Sequence, residues 1–359
     1  MRFYDALQLD PAVTKSKIRA AESTSERRKL WIAMGMRSLL IVILAMACIS
    51  PLANIFGPEN NSMAVAMFCI MLGIRFVDFG YCIKDSMINL GVIFALLLVA
   101  PVVATHVNPI LGVLINFGAF FTMLIMGSDQ PELGNGGLFG FAYVLLTGNT
   151  VTGVLFWKRC ALTLLGYLIC GAIFFAKHRN KNKNIRFRQI VNRFDMFTKK
   201  SRWQLRMAIG VSLVLTLGNY LQIQRFMWAG FACAALLSTY PYSVSIKKRY
   251  FQRVVGVVAG SFLFFVVYQL IPGWFHTFLG PLGGICLGFC ADYRFKTALN
   301  CFGALMMAVG LFGVGNAAVL RVVNNIVGIS FAVVIIWLYQ KLVERRFENS
   351  SVGLQEPAA

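Results

Sequence analysis

A stretch of about twenty consecutive apolar residues leaves a backbone few choices: inside a bilayer it must close its own hydrogen bonds, so it crosses as a helix. Such stretches follow one another along almost the whole of this chain. Leu30 to Ile55 is the first, and long runs recur at about 84–104, 109–126, 154–176, 205–221, 253–271, 295–312 and 319–342, with shorter ones at about 62–74, 138–146, 227–239 and 275–289. Composition agrees, because 58% of the 359 residues are hydrophobic and 13% are charged, where soluble domains carry about 25% charged residues. The expectation is an all-α integral membrane protein with about twelve transmembrane helices.

Charge sets the orientation. Lys177, Arg179, Lys181, Lys183, Arg186, Arg188, Arg193, Lys199, Lys200 and Arg202 sit between two apolar halves with a single acid, Asp195, among them. Lys/Arg-rich segments between spans stay in the cytoplasm. Seven basic residues before Leu30 hold the N-terminus on the same side, and Lys341, Arg345 and Arg346 do so for the C-terminus. The expected location is therefore the inner or plasma membrane, multi-pass, with both termini cytoplasmic. The net charge of +20 reflects topology and contact with anionic lipid, not nucleic acid. Within the linker, Phe187, Ile190, Val191, Phe194 and Phe197 fall at helical spacing among Arg186, Arg188 and Arg193. Two readings fit this pattern: an amphipathic helix lying on an anionic leaflet, or a solvated basic linker.

Asp10 before Pro11 is a cap signal for a short helix to about Glu22, and Ser23-x-x-Glu26 has the capping-box spacing for a helix that runs on through Trp31 into the first span. Met1 to Lys29 lacks the apolar core of a cleavable signal. Residues 348–359 read as a disordered tail.

The two halves look like a duplication. Met63, Cys69 and Lys84 match Met227, Cys233 and Lys248 at an offset of 164, and Arg159-x6-Gly166 matches Arg321-x6-Gly328 at an offset of 162. Six helices per half give both copies one orientation, hence two parallel repeats related by an axis along the membrane normal. The expected organisation is a cytoplasmic N-terminal helix at 1–29, a first transmembrane repeat at 30–176, a basic linker at 177–204, a second repeat at 205–342 and a cytoplasmic tail at 343–359.

Ionisable groups within spans are costly and therefore mark function. Arg37 lies some seven residues inside the first apolar run, and Arg206 holds the matching place near the start of the second half. Arg159, with Lys158, and Arg321, with Asn324 and Asn325, enter from the outer side, where orientation does not call for basic residues. Arg37, Arg206, Arg159, Arg321 and Asn325 are thus the candidate anion contacts. Trp228 is either an interface anchor or a stacking surface for an aromatic substrate. Among the few carboxylates, Asp85 adjoins an apolar helix and is the candidate proton-coupling group, or else a partner for Arg249 or Arg253.

Other chemistry is not expected. The nine cysteines are scattered through apolar segments without a CxxC pair, and the three histidines lie far apart, so neither disulfide nor metal site is indicated. Gly134-x-Gly136-Gly137 and Gly313-x-Gly315 have no strand-to-helix context for a phosphate loop. No catalytic residues, cofactor or metal are expected, and the chain does not read as an enzyme.

The segment Lys248-Arg249-x3-Arg253-x2-Gly256-x3-Gly260 followed by Ser261-Phe262-Leu263-Phe264-Phe265, with Arg206 to Gly210, Phe226 to Gly230 and Arg321-x6-Gly328, resembles the fusaric acid resistance (FUSC) group, also called aromatic acid exporters. The group is related in fold to plant aluminium-activated malate channels. The resemblance implies efflux of small organic anions, typically hydroxylated aromatic carboxylates, driven by the proton gradient. It assigns Lys248, Arg249, Arg253, Gly256 and Gly260 to the structural motif. Val257 stands where relatives often carry threonine, and the large cytoplasmic domains of many relatives have no counterpart here. Expected partners are an organic anion, anionic lipid at the linker and a second copy in a homo-oligomer. A passive organic-anion channel and a non-transporting membrane scaffold are the other readings.

Overall fold

The computed structural model describes residues 3–239 and 246–344. Among these residues there is no strand, and helices take up nearly all of the chain. They are α1 (Phe3–Gln8), α2 (Pro11–Ala20), α3 (Thr24–Phe56), α4 (Asn61–Ile74), α5 (Ile83–His106), α6 (Pro109–Gly127), α7 (Asn135–Thr147), α8 (Gly153–His178), α9 (Phe187–Asn192), α10 (Lys199–Tyr220), α11 (Met227–Leu237), α12 (Ile246–Leu270), α13 (Leu279–Leu287), α14 (Tyr293–Phe312) and α15 (Val314–Tyr339). The start signals behave as the sequence predicts. Asp10 accepts a hydrogen bond from Ala12 N at 2.8 Å, and the Ser23 hydroxyl accepts one from Glu26 N at 3.1 Å.

A helix occupies each of the twelve apolar segments read from the sequence, but among the described residues seven helices are long and apolar enough to cross a membrane: α3, α5, α6, α8, α12, α14 and α15. Length is the physical reason. At about 1.5 Å per residue, α4, α7, α11 and α13, with 14, 13, 11 and 9 residues, fall short of a hydrocarbon core about 30 Å thick. α10 is longer, yet Lys199, Lys200, Arg202 and Arg206 fill its first two turns.

Contacts divide the chain into two discontinuous units, residues 1–48 with 247–326, and 49–246 with 327–359. In the first unit, Ala6, Ile18, Leu30, Ala33 and Met34 form a small core with Phe3, Leu7 and Phe289 packed against it. The α12 and α14 helices meet at glycine: a Cβ on Gly256 would stand 2.7 Å from the Arg294 carbonyl oxygen, and one on Gly260 would strike the Ala298 backbone. Contacts advance in step along both helices, from Gly256 near Arg294 to Gly260 near Ala298 and Phe264 against Phe302. The two helices therefore run parallel, and the motif glycines serve packing within the chain.

In the second unit, α4 packs on α7 and α8, α5 on α6 and α8, and α10 on α6 and α11. Although the sequence puts α10 and α11 in the second half, they pack here against α6 and α7 of the first. Phe141 of α7 stacks on Phe231 of α11 with centroids 5.2 Å apart. A buried network joins three of these helices: the Tyr143 hydroxyl donates to Asn116 Oδ1 at 2.6 Å, and Asn116 Nδ2 donates to the Thr216 hydroxyl at 2.9 Å.

The basic linker is pinned to the rest of its unit. Lys181 and Asn182 reach Asp78, Arg186 and the Phe187 N–H reach Asp85, and Lys200 reaches Asp129 at 2.6 Å. Of the expected amphipathic pattern, α9 takes six residues, with Ile190 buried and Phe187 against Tyr81 at 5.2 Å, whereas Val191 and Phe197 are exposed. Beyond α9, Phe194 meets Phe121 edge-on at 5.5 Å. Arg345, Arg346 and the tail lie outside the described residues.

Candidate functional site

The parallel approach of α12 and α14 brings two ends together. Asp292 caps α14 by accepting the Arg294 N–H at 2.8 Å, which leaves Tyr293 as the first helical residue. Glycine at 256 lets this end close on α12, and Arg253, one turn earlier, donates from Nη1 to the Tyr293 hydroxyl at 2.8 Å. Its Nη2 donates to Asn325 Oδ1 on α15 at 3.1 Å. Asn325 in turn donates to the Arg321 carbonyl at 2.8 Å. Arg249 lies one turn from Arg253 on the same face of α12, with its guanidinium 4.6 Å from the Tyr293 ring centroid. Arg253 is 8% exposed and Arg321 6%, and Asn324 and Asn325 are buried beside them.

Electrostatics makes this cluster unusual. Among the described residues, both hydrogen-bond partners of Arg253 are neutral oxygens, and its buried Nε–H has no partner. Arg321 lies close enough for the two like charges to act on each other. Burying a charge without a counter-charge costs several kcal/mol. An anion is the kind of group that can offset such charges, and acceptor oxygens suit a guanidinium's donors. Where α12 begins, Lys248, Phe251, Gln252, Asp292 and Arg294 line a shallow cleft.

The other predicted site residues fall elsewhere. Arg159 is 1% exposed, and protein acceptors take its donors: Nε bonds Asn60 Oδ1 at 2.8 Å, Nη1 the Asn149 carbonyl at 2.7 Å, and Nη2 the Glu59 carbonyl at 3.0 Å and the Ser62 hydroxyl at 3.2 Å. It ties α8 to the turn before α4, and these bonds engage the donors that the predicted anion contact would use. Arg206 is buried on α10 and Arg37 half-buried on α3. Trp228 is buried near the start of α11. Asp85 pairs with Arg186 at 3.2 Å and accepts the Phe187 N–H at 2.9 Å. Its side chain remains 22% exposed, so it is a latch for the linker and lacks the dry, isolated setting expected of a proton carrier. Lys248 is exposed.

The structure thus gathers Arg253, Arg321 and Asn325 and adds Arg249 and Tyr293. Sequence reasoning placed Arg249 and Arg253 in a packing motif and missed Tyr293. The signal for Tyr293 was faint: an aromatic between Asp292 and Arg294 at a helix start. No group of three His, Cys, Asp or Glu residues suited to a metal occurs among the described residues.

Comparison with known proteins adds one finding. Residues 211–335 match the family model described as fusaric acid resistance protein-like, a segment that holds Arg253, Tyr293, Arg321 and Asn325. No curated protein and no solved structure gives a significant match. With seven helices among the described residues able to cross a bilayer, the chain is a multi-pass membrane protein that is similar to the fusaric acid resistance protein-like family over residues 211–335.

Proposed function

We propose that this protein carries small organic anions, aromatic carboxylates among them, out of the cytoplasm, with Arg253 and Arg321 binding the carboxylate in the membrane. The observation that carries the reading is the burial of Arg253 on a membrane-spanning helix with neutral oxygens as its hydrogen-bond partners among the described residues. The aromatic class rests on the family description, since fusaric acid is itself an aromatic carboxylic acid. The interior-negative potential favours exit of each anionic charge by about 2.3 kcal/mol per 100 mV, so a proton site is not required. Asp85, engaged with Arg186, has no part in the proposal.

The two-repeat, twelve-helix organisation with cytoplasmic termini belongs to the same proposal. It is supported by Gly166 on α8, which meets Met67 of α4, and by Gly328 on α15, which meets Ala229 of α11: the matched glycines receive matched helices. The exposed Lys177, Arg179, Lys183, Arg188 and Arg193 would face anionic headgroups.

The test is uptake of labelled 4-hydroxybenzoate into proteoliposomes with a membrane potential and a pH gradient imposed separately. Uptake follows the potential and collapses in Arg253→Gln and Arg321→Gln. Absence of uptake across a panel of aromatic acids in the wild type overturns the reading, and uptake that follows the pH gradient alone overturns the driving force.

A further inference from the structure

We infer that the cleft at the start of α12 is a binding site for one anionic phospholipid of the inner leaflet, with Lys248 and Arg294 holding the headgroup phosphate and the exposed side of α12 receiving an acyl chain. Lys248, Phe251, Gln252, Asp292 and Arg294 surround about 350 Å³ of open space. α12 and α14 run parallel, and both begin with basic residues: Lys247, Lys248 and Arg249 on the first, Arg294 and Lys296 on the second. The positive-inside rule therefore puts both starts, and the cleft between them, at the cytoplasmic leaflet. The site is separate from the basic linker and does not depend on how organic anions cross the protein.

Lys248 is exposed. Arg294 leaves 48% of its side chain exposed, and its side-chain bonds to Asp292 are long, at 3.4 and 3.5 Å. Both cations are thus open to phosphate oxygens, which accept shorter, charge-assisted bonds from guanidinium and ammonium groups. Two cations against the one acid, Asp292, leave a surplus of one positive charge, which one phosphodiester neutralises. The Asp292 carboxylate is an acceptor and suits a headgroup that also carries hydroxyls, as phosphatidylglycerol does. From the cleft the exposed side of α12 continues as Phe251, Val255, Val258 and Phe262, three or four residues apart and so on one stripe. That stripe rises about 16 Å, close to half of a hydrocarbon core about 30 Å thick, which is the depth of a single leaflet. Free phosphate would use the cations and leave the stripe idle, whereas a lipid engages both.

The experiment titrates the purified full-length chain in detergent with phosphatidylglycerol, phosphatidylcholine and soluble glycerol phosphate, and reads the affinity of the tightest bound molecule by native mass spectrometry. Phosphatidylglycerol should bind more tightly than either of the others. Lys248→Gln and Arg294→Gln should each weaken it about 5-fold, and the double variant about 25-fold, as expected for one basic residue and for two near an anionic headgroup. Lys183→Gln with Arg188→Gln, exposed on the linker, should leave that lipid in place. If the double variant does not accumulate, the two single variants carry the test. Equal phosphatidylglycerol affinity in wild type and cleft variants overturns the inference, and so does a loss confined to the linker variant, which would assign the lipid to the linker. Phosphatidylcholine bound as tightly as phosphatidylglycerol removes the role of charge and overturns it as well. Glycerol phosphate bound as tightly as the lipid overturns it in favour of a free phosphate ligand.

Discussion

Arg159→Gln distinguishes a structural arginine from a transporting one. In the wild type the guanidinium satisfies Asn60 Oδ1, the Asn149 and Glu59 carbonyls and the Ser62 hydroxyl. Asn60 has two further bonds of its own, from Nδ2 to the Phe56 and Leu155 carbonyls at 2.9 and 3.1 Å, so the turn is not held by Arg159 alone. Glutamine is shorter and can replace one or two of the four bonds at most. Each bond from a charged donor contributes about 1.5–3 kcal/mol, but the wild type also bears the cost of burying the charge. The net loss is therefore about 3–5 kcal/mol, the range found when one member of a buried charged network is removed. Denaturant unfolding of the detergent-solubilised protein, followed by circular dichroism, reads this loss directly. Arg159→Lys keeps the charge without the fork of donors and should recover only part of it. A variant that unfolds like the wild type yet no longer transports would refute the reasoning and return Arg159 to the anion path.

Gly260→Val should be among the most damaging single changes in α12, because the added side chain meets the Ala298 backbone and overpacking of this kind costs about 3 kcal/mol or more; the yield of folded protein on size-exclusion chromatography checks it. Asp85→Ala frees Arg186 and the Phe187 N–H and should speed trypsin cleavage after Arg186 and Arg188 while leaving uptake intact, with a stability loss within about 1 kcal/mol because the pair is partly exposed. The Asp292 carboxyl is held below its usual value of 3.8, first by the Arg294 backbone N–H and then by the Arg294 side chain. Its capping contribution is therefore complete above the ordinary carboxylate value and lost as pH falls through the depressed native one. Melting temperatures of wild type and Asp292→Asn should differ above that acid window and converge as pH falls through it.

The helices were legible because hydropathy and capping are local. Leu30 to Ile55, Pro109 to Met126 and the Asp10 and Ser23 starts could be read from residues within a few turns of one another, and the structure moves their ends by only a few residues. The candidate site was only half legible. Arg321 and Asn325 stood out as polar residues in an apolar run, whereas Arg253 resembled one more basic residue at an inner helix end. Arg159 looked like an equal of Arg321, and the acceptors that engage Arg159 come from elements distant in the chain. Nothing near Arg159 in the chain announces that Asn60 and Ser62, nearly a hundred residues earlier, meet it.

Residue order alone was enough to establish an all-helical membrane chain with its basic linker between two apolar halves, since transfer into lipid depends on side chains summed along a local segment. It did not establish which helices cross fully, that α10 and α11 pack with α6 and α7, or that Tyr293 closes on Arg253. Those depend on helix length set against a bilayer about 30 Å thick and on close approaches such as Gly256 to Arg294, which join residues distant in the chain. Bilayer solvation acts on each segment separately, whereas a buried guanidinium takes its role from whichever acceptors the packing of other helices brings to it.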